Sequence, residues 1–169
     1  MTGTLGHAGF DTVKIRAATA DDIATLMELE RESPSAAHWT EQQYAELFRG
    51  ADRLVIVAEM EGSPSRAVLS AFLVARRVAT DWELENIVVA AGAQRNGLGT
   101  RLLQTLLARA SETNGNSVFL EVRESNTPAR ALYERSGFCQ TASRKSYYTN
   151  PLEDAILYSW MVDSKPFSE

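Results

Sequence analysis

The segment AAGAQRNGLGTRLLQTLL, residues 90–107, joins two apolar stretches through a polar turn that contains three glycines. The stretch LENIVV, residues 84–89, precedes this turn and has the composition of a β-strand. After the turn, apolar residues recur at helical spacing and predict a helix with one buried face, formed by Leu102, Leu103, Leu106, Leu107 and Ala110. This order brings backbone N–H groups and the positive end of a helix dipole to one point, which suits an anion.

Two common phosphate loops do not fit this turn. Gly92 and Gly97 have the spacing of a P-loop, but Leu98 and Gly99 stand where that loop requires Lys and Ser or Thr. The dinucleotide fingerprint GxGxxG fails because Leu102 replaces its third glycine and the preceding strand is not the first of the chain. The remaining motif, QRNGLG, suits a pyrophosphate, and the alternative is an ordinary strand-to-helix turn that needed flexible glycines.

The composition bounds the class of protein. A chain of 169 residues with 44% hydrophobic and 23% charged residues predicts one globular domain, residues 13–163, after a disordered tail, residues 1–12. The opening MTGTLGHAGFDT has no basic start and no apolar core, and no apolar run approaches the ~18 residues of a membrane span. We therefore expect a cytoplasmic protein without a membrane partner. The one cysteine, Cys139, is predicted as a core thiol, and the two histidines, His7 and His38, form no metal site of familiar spacing.

The net charge of −5 is unevenly distributed along the chain. Residues 21–61 hold ten acidic and three basic side chains, or −7, whereas the remainder holds twelve acidic and fourteen basic ones, or +2. Such a segment is either solvated helix surface or an acidic face that attracts a basic partner. The sequence contains no basic stripe with interleaved aromatics, so we expect no nucleic-acid partner.

The segments predicted along the chain follow the order β-α-α-β-β-β-α-β-α-β-β. This order predicts an α/β domain with a mixed sheet and helices on both of its faces. In the first helix, helical spacing places four residues on one face: Ile23, Leu26, Met27 and Glu30. The run SVFLEVRE, residues 117–124, is nearly continuous in apolar residues and predicts a strand covered on both faces.

Two helices carry start signals. In HWTEQQYAELF, residues 38–48, Thr40 and Gln43 predict a capping box, with Trp39 packed against Tyr44 as a hydrophobic staple. In NTPARALYERSGF, residues 126–138, Thr127 is predicted as the N-cap, Pro128 as the first helical residue and Gly137 as the residue that ends the helix.

The motif QRNGLG after NIVV resembles the Q/R-x-x-G-x-G/A motif of the GNAT acetyltransferases, which binds the pyrophosphate of acetyl-CoA. The resemblance extends from about Val13 to Met161. In LEVRESNTPARALYERSGF, RKSYY and EDAI, the chain is similar to the bacterial ribosomal-protein alanine N-acetyltransferases. The resemblance implies a central, mixed, mostly antiparallel sheet flanked by helices, with acetyl-CoA as the cofactor.

Glu121 is the candidate general base. A carboxylate inside the apolar run VFLEV tends to have a raised pKa, and the alternative is an ion pair with an arginine on a neighbouring strand. The resemblance implies that Glu121, in LEVR, is the base. Glu83 is the second candidate, because other branches of the family place their base near this position, and Glu85 shares its strand face.

Tyr133 is the candidate general acid. A tyrosine in an amphipathic helix is commonly a packing residue, and that is the alternative interpretation from the sequence. The resemblance implies that the tyrosine of ALYE, Tyr133, protonates the leaving thiolate.

The resemblance also implies binding residues. The backbone of Ile87, Val88 and Val89 is expected to pair with the pantetheine arm, and Asn126 to form a hydrogen bond with the cofactor. The pyrophosphate turn comprises Arg95, Asn96, Gly97, Leu98, Gly99 and Thr100. Acceptor residues are Trp39, Tyr147 and Tyr148, whose alternative roles are a helix staple and strand-edge aromatics. His38 stands where the family usually has proline.

We therefore predict an enzyme that acetylates the N-terminal alanine of a basic ribosomal protein and acts as a monomer or weak dimer. The alternatives are a GNAT enzyme for other protein N-termini or small amines, and a non-catalytic module that binds acyl-CoA.

Overall fold

The computed structural model of the protein describes residues 13–62 and 66–162. The predicted tail, residues 1–12, therefore lies outside the described residues, as does residue 163. Seven strands are described: β1 Val13–Ala17, β2 Arg53–Gly62, β3 Arg66–Val78, β4 Asp81–Val89, β5 Ser117–Arg123, β6 Cys139–Thr149 and β7 Leu152–Met161. Four α-helices are described: α1 Ile23–Arg31, α2 Glu41–Leu47, α3 Leu98–Glu112 and α4 Thr127–Arg135. None of these helices is long and apolar enough to cross a membrane.

The strands form one sheet in the order β1-β2-β3-β4-β5-β7-β6. All pairs are antiparallel except β4 and β5, which run parallel. This mixed, mostly antiparallel sheet confirms the predicted fold class and the predicted order of helices and strands. The strand β7 lies between β5 and β6, so the last strand folds back to pair with β5 and leaves β6 at the edge of the sheet.

Helices cover both faces of the sheet, each over its own apolar core. On one face α3 packs against the sheet through the residues that its periodicity predicts, with Leu102, Leu103, Leu106 and Ala110 fully buried. On the other face α1 and α2 pack through Leu26, Leu29, Tyr44 and Leu47. At roughly 25 cal/mol per Å² of apolar surface, this double burial is the main stabilising contribution to the fold.

A β-bulge in β4 changes which face its side chains occupy. Val74 of β3 pairs with Asn86 and Ala75 pairs with Leu84, so Glu85 is the extra residue. Before the bulge, Leu84 belongs to the core under α3, whereas after it Val88 belongs to the core under α1 and α2. The bulge therefore turns the Asn86 side chain toward α1.

The predicted start of α2 is confirmed. The Thr40 hydroxyl accepts a hydrogen bond from the Gln43 N–H, the Gln43 side chain accepts one from the Thr40 N–H, and the Trp39 and Tyr44 rings meet at 5.6 Å. The rings are T-shaped, which is a favoured geometry for an aromatic pair.

The predicted cap of α4 is wrong by one residue. Asn126, and not Thr127, is the N-cap, because its Oδ1 accepts a hydrogen bond from the Ala129 N–H at 3.3 Å. Asparagine is the stronger N-cap residue, and Thr127 becomes the first helical residue ahead of Pro128. Gly137, with φ of 90°, follows the end of the helix as predicted.

Two burial predictions are also wrong. Cys139 is exposed, because it begins β6, the edge strand of the sheet, whose side chains are nearly all exposed. In β5 the residues alternate between buried and half-buried, so the strand is not covered equally on both faces. The half-buried positions include Phe119 and Glu121, and the second of these opens onto the site described next.

Candidate active site

The strands β4 and β5 separate after a short parallel contact. They pair only at Trp82 with Val118 and Glu83 with Phe119, although β4 continues to Val89 and β5 to Arg123. Beyond this contact the β4 edge that faces β5 has no partner among the described strands. An unpaired strand edge is a row of N–H and C=O groups that an extended molecule is able to join as an additional strand.

The glycine turn lies next to this edge. Arg95 and Gly97 adopt left-handed backbone conformations, with φ of 64° and 74°, and α3 begins at Leu98. No side chain caps α3, and its first turn contains no acidic residue. The first N–H groups of the helix and its positive dipole end are therefore available to an anion.

A cleft of about 990 Å³ joins the separated strands, the glycine turn and α4. Most of the sequence-predicted site residues line this cleft, namely Ile87, Val89, Arg95, Gly97, Leu98, Gly99, Thr100, Glu121, Asn126, Tyr133 and Tyr148. The segment 33–38, between α1 and α2, lines it from the other side. The candidate base, the candidate acid and the candidate anion site therefore all border one cleft.

Other predicted residues are placed elsewhere. Val88 is buried under α1 and α2, and the Asn96 side chain donates a hydrogen bond to the Ala93 carbonyl at 3.3 Å. Trp39 packs on Tyr44 and does not line the cleft. Tyr147 also lies outside the lining, is 48% exposed and stacks edge-on against Tyr148.

Glu121 forms an ion pair that crosses one strand. Arg144 Nη1 lies 2.8 Å from Glu121 Oε1, and Arg144 belongs to β6, on the far side of β7. The Arg144 side chain is 54% exposed, so this pair stabilises the fold by no more than about 1 kcal/mol. The expected alternative, an ion pair, is therefore present, but Glu121 also lines the cleft.

The other two candidate carboxylates belong to a surface network. Arg76 pairs with Glu83 at 2.6 Å and with Glu85 at 3.6 Å, and Arg53 also contacts Glu85. Glu85, at the bulge, lines the cleft, whereas Glu83 does not. Of the two candidate bases, only Glu121 is therefore positioned to reach a molecule in the cleft.

Tyr133 is the one buried residue of α4. Its ring packs against Phe138 and Tyr158, with centroids 5.9 Å and 6.2 Å away. Burial raises the pKa of Tyr133, and the neighbouring Tyr148 raises it further. The phenol therefore keeps its proton throughout the neutral and moderately alkaline range.

The Asn126 side chain caps α4 and also lines the cleft. Its Oδ1 caps α4, which leaves the amide N–H groups as the polar atoms of this side chain that remain for a molecule in the cleft. Arg135, which the sequence did not single out, also lines the cleft at the other end of α4. Arg95 and Arg135 both provide positive charge to the lining of the cleft.

His38 has a left-handed backbone, with φ of 55°, and lines the cleft. Proline, which the family usually has at this position, is fixed near −65° and is unable to adopt this conformation. The departure from the family pattern therefore changes the course of the backbone as well as the side chain.

The sequence model of the acetyltransferase (GNAT) family matches residues 21–138, so the chain belongs to this family. Among its relatives is the ribosomal protein bS18-alanine N-acetyltransferase of Escherichia coli (strain K12), which is 40% identical over 91 residues. That match covers 53% of this chain and 62% of the relative, so the chain spans less than two thirds of its length. A Bacillus subtilis (strain 168) protein, provisionally named for the same activity, is 28% identical and covers 85% of this chain and 91% of its own length.

Solved structures share the fold. The crystal structure of the E. coli ribosomal-protein-S18-alanine N-acetyltransferase has a TM-score of 0.77 and 28% identity, and the match covers 94% of this chain and 99% of the other. Arabidopsis thaliana NAA60 in complex with acetyl-CoA has a TM-score of 0.80 at 17% identity, covers 90% of this chain and all of the other, and shows the fold alone. Acetyl-CoA is the cofactor of this family. The free strand edge and the uncapped helix N-terminus described above fit its pantetheine arm and its pyrophosphate.

Proposed function

We propose that this chain is an N-alpha-acetyltransferase that transfers the acetyl group of acetyl-CoA to the α-amine of an N-terminal alanine. The observation that carries the proposal is that Glu121 and Tyr133 line one cleft, beside an unpaired strand edge and an uncapped helix N-terminus. The names of the E. coli and B. subtilis relatives support alanine as the acceptor and a ribosomal protein as its carrier. The same names favour a cytoplasmic location.

Three groups of residues would hold the cofactor. The backbone of Ile87–Val89 would pair with the pantetheine arm, the N–H groups of residues 95–100 would bind the pyrophosphate, and the Asn126 amide would donate a hydrogen bond. Bound acetyl-CoA supplies a thioester carbonyl carbon for an amine to attack. Arg95 and Arg135 add positive charge beside the phosphates.

Glu121 would take the proton from the amine. A protein α-amine has a pKa of about 7.7–8.0, so a carboxylate held next to it needs to shift only a small equilibrium. Arg144 Nη1 lies 2.8 Å from Oε1, so Oε2 would be the atom that accepts the proton. A lysine acceptor, with a pKa of about 10.4, would ask more of the same base.

Tyr133 would give a proton to the leaving thiolate. Its hydroxyl keeps that proton at neutral pH because burial raises the pKa of the group. The resulting tyrosinate recovers a proton from water, to which the cleft is open. The residues of the chain thus account for both proton movements that the transfer requires.

The acceptor would be a basic N-terminal segment. The acidic segment, residues 21–61, includes the wall 33–38 of the cleft. Within this segment Asp22 and Glu59 pair with Arg16 and Glu30 is buried, whereas a further set is exposed on the two helices and next to them: Glu28, Glu32, Glu41 and Glu46. Tyr148 would form the aromatic part of the peptide site. Tyr147 and Trp39 would act indirectly, Tyr147 by packing against Tyr148 and Trp39 by packing on Tyr44 next to residues 33–38.

The test is turnover of acetyl-CoA with a panel of peptides that differ only in their first residue, together with free lysine and a polyamine. We expect alanine to give the highest kcat/KM and an N-blocked alanine peptide to give none. Higher kcat/KM with the polyamine or lysine would favour the small-amine alternative. Binding of acetyl-CoA without turnover of any acceptor would favour the non-catalytic module.

A further inference from the structure

A carboxylate is buried between α1 and β4 without a cationic partner. Glu30 is 2% exposed, and no ion pair joins it to a lysine, arginine or histidine of the described residues. Two neutral donors satisfy it instead. The Trp39 N–H donates to Oε2 at 2.9 Å, and the Asn86 Nδ2 donates to Oε1 at 2.7 Å. A buried charge is retained only where such donors hold it, so this contact has a defined geometry.

A third donor lies next to this carboxylate. The Tyr44 hydroxyl is buried and completes no hydrogen bond within the described residues. Burial raises the pKa of Tyr44, and the adjacent Glu30 charge raises it further. The Tyr44 ring also packs against Trp39 from α2, so Tyr44 lies beside both Glu30 and the residue that Glu30 holds.

One hydrogen bond of Glu30 ends on Asn86, which lines the cleft, and the other ends on Trp39, directly beside the lining segment 33–38. Asn86 lies on β4, immediately before the residues whose backbone edge is free for the cofactor. Trp39 directly follows the segment 33–38, which lines the cleft and is named the acceptor wall below. One side chain of α1 therefore fixes the acceptor wall relative to the cofactor strand.

We propose that Glu30 is a positioning residue that sets the position of the acceptor wall, residues 33–38. This inference rests on the proposed function for its consequence in catalysis, since Glu30 itself touches neither substrate. The two walls are not held equally. The strand β4 is also held by its pairing with β3, at Val74 with Asn86, whereas the Trp39 N–H depends on Glu30. Loss of the Glu30 hydrogen bonds should therefore displace residues 33–38 and leave β4 in place.

The chemistry of the bridge provides a matched set of variants. A carboxylate accepts at both oxygens, and Glu30→Leu removes both acceptors and leaves the buried Trp39 N–H without its partner. Glu30→Gln alone creates no conflict, because the Asn86 amide is able to turn over and accept through Oδ1, so it is used only in the double variant below. Asn86→Asp creates a conflict between two carboxylates. In the double variant Glu30→Gln/Asn86→Asp, the new amide at position 30 donates to the new carboxylate at position 86, so the hydrogen bond is kept with its direction reversed. The net charge is unchanged.

The first measurement does not depend on activity. Hydrogen exchange by mass spectrometry should show faster exchange across residues 33–39 in Glu30→Leu and in Asn86→Asp, with β4 still protected. The double variant should return the exchange of this segment toward that of the wild type. Exchange in residues 33–39 that is unchanged in both single variants would overturn the inference, whatever the enzyme acetylates.

The second measurement tests the consequence for the acceptor. Glu30→Leu and Asn86→Asp should each raise the KM for an alanine-starting peptide by about tenfold, because an unsatisfied buried donor or acceptor disfavours the observed position of residues 33–38. The Kd for acetyl-CoA should stay within about threefold, and the double variant should recover most of the KM. Equal losses of acetyl-CoA and peptide binding, or no recovery in the double variant, would show a merely structural role. If the single variants exchange faster but the wild-type protein transfers no acetyl group, the proposed function is contradicted and the positioning role of Glu30 still holds.

Discussion

Glu121 and Glu83 form a matched pair of carboxylates on adjacent strands. Glu121 lies 2.8 Å from Arg144 and is 25% exposed, and Glu83 lies 2.6 Å from Arg76 and is 30% exposed. Both arginines are partly exposed, so replacement of either glutamate by glutamine removes a similar surface ion pair. Only Glu121 lines the cleft. The two substitutions therefore separate a catalytic role from a structural one.

The two glutamine variants are expected to differ by orders of magnitude in turnover and hardly at all in stability. Each Glu→Gln substitution should lower the free energy of unfolding by about 0.2–1 kcal/mol, the usual contribution of a partly exposed ion pair. Loss of a general base should lower kcat by roughly 10²–10⁴-fold, or about 3–5 kcal/mol in activation free energy, and only for Glu121→Gln. For Glu83→Gln we expect kcat within about twofold of the wild type.

The assay is the release of coenzyme A thiol with a saturating alanine-starting peptide, measured between pH 6 and 9.5, together with thermal unfolding. The loss in Glu121→Gln should shrink above pH ~8, because the amine then loses its proton to solvent. Near wild-type turnover of Glu121→Gln at pH 7 would refute the assignment. A large defect in Glu83→Gln would transfer the role to that residue.

Three further predictions concern the cofactor turn, the acid and the acceptor. Gly97→Ala should weaken acetyl-CoA binding in calorimetry at a strain cost of about 1–2 kcal/mol, because φ is +74° and the new Cβ meets no atom within 4 Å. Gly99→Ala should change the unfolding temperature little, because its Cβ would lie 2.9 Å from Leu132 Cδ2, the end of a side chain that is able to turn aside, and because alanine favours the helix. A Tyr133→Phe defect should persist in pH–rate profiles up to about pH 10, because the raised pKa keeps the wild-type phenol protonated over that range. Peptides with arginine after alanine should react faster than peptides with an acidic residue there. Added salt should reduce this difference in rate, because charges are screened within about 10 Å at 0.1 M. Equal rates that do not depend on salt would contradict an acidic acceptor surface.

Local signals in the sequence predicted local structure well. The capping box at Thr40, the buried face of α3 and the helix end at Gly137 depend on residues within one or two turns of each other, and all three are confirmed. The resemblance supplied the sheet type, because its motifs mark the strand, turn and helix that the fold has in common with its relatives.

Features that depend on strand order were not predicted. Cys139 was expected in the core, but the order β5-β7-β6 places its strand at the edge of the sheet. The same order lets Arg144 reach Glu121 across β7, whereas the sequence suggested an arginine from the adjacent strand. The Glu30–Asn86 contact joins residues 56 positions apart and requires the bulge at Glu85, which shifts the face of every later β4 residue. No periodicity in the sequence indicates that shift.

The most direct test of the central claim is the location of the transferred acetyl group. A peptide that begins with alanine and contains one internal lysine is incubated with acetyl-CoA and the wild-type protein, and fragmentation mass spectrometry assigns the modified nitrogen. We predict a single acetyl group on the α-amine of alanine, and no acetyl group when Glu121→Gln replaces the wild type at neutral pH over the same time. Acetyl on the lysine side chain, or equal modification of both nitrogens, would contradict the account.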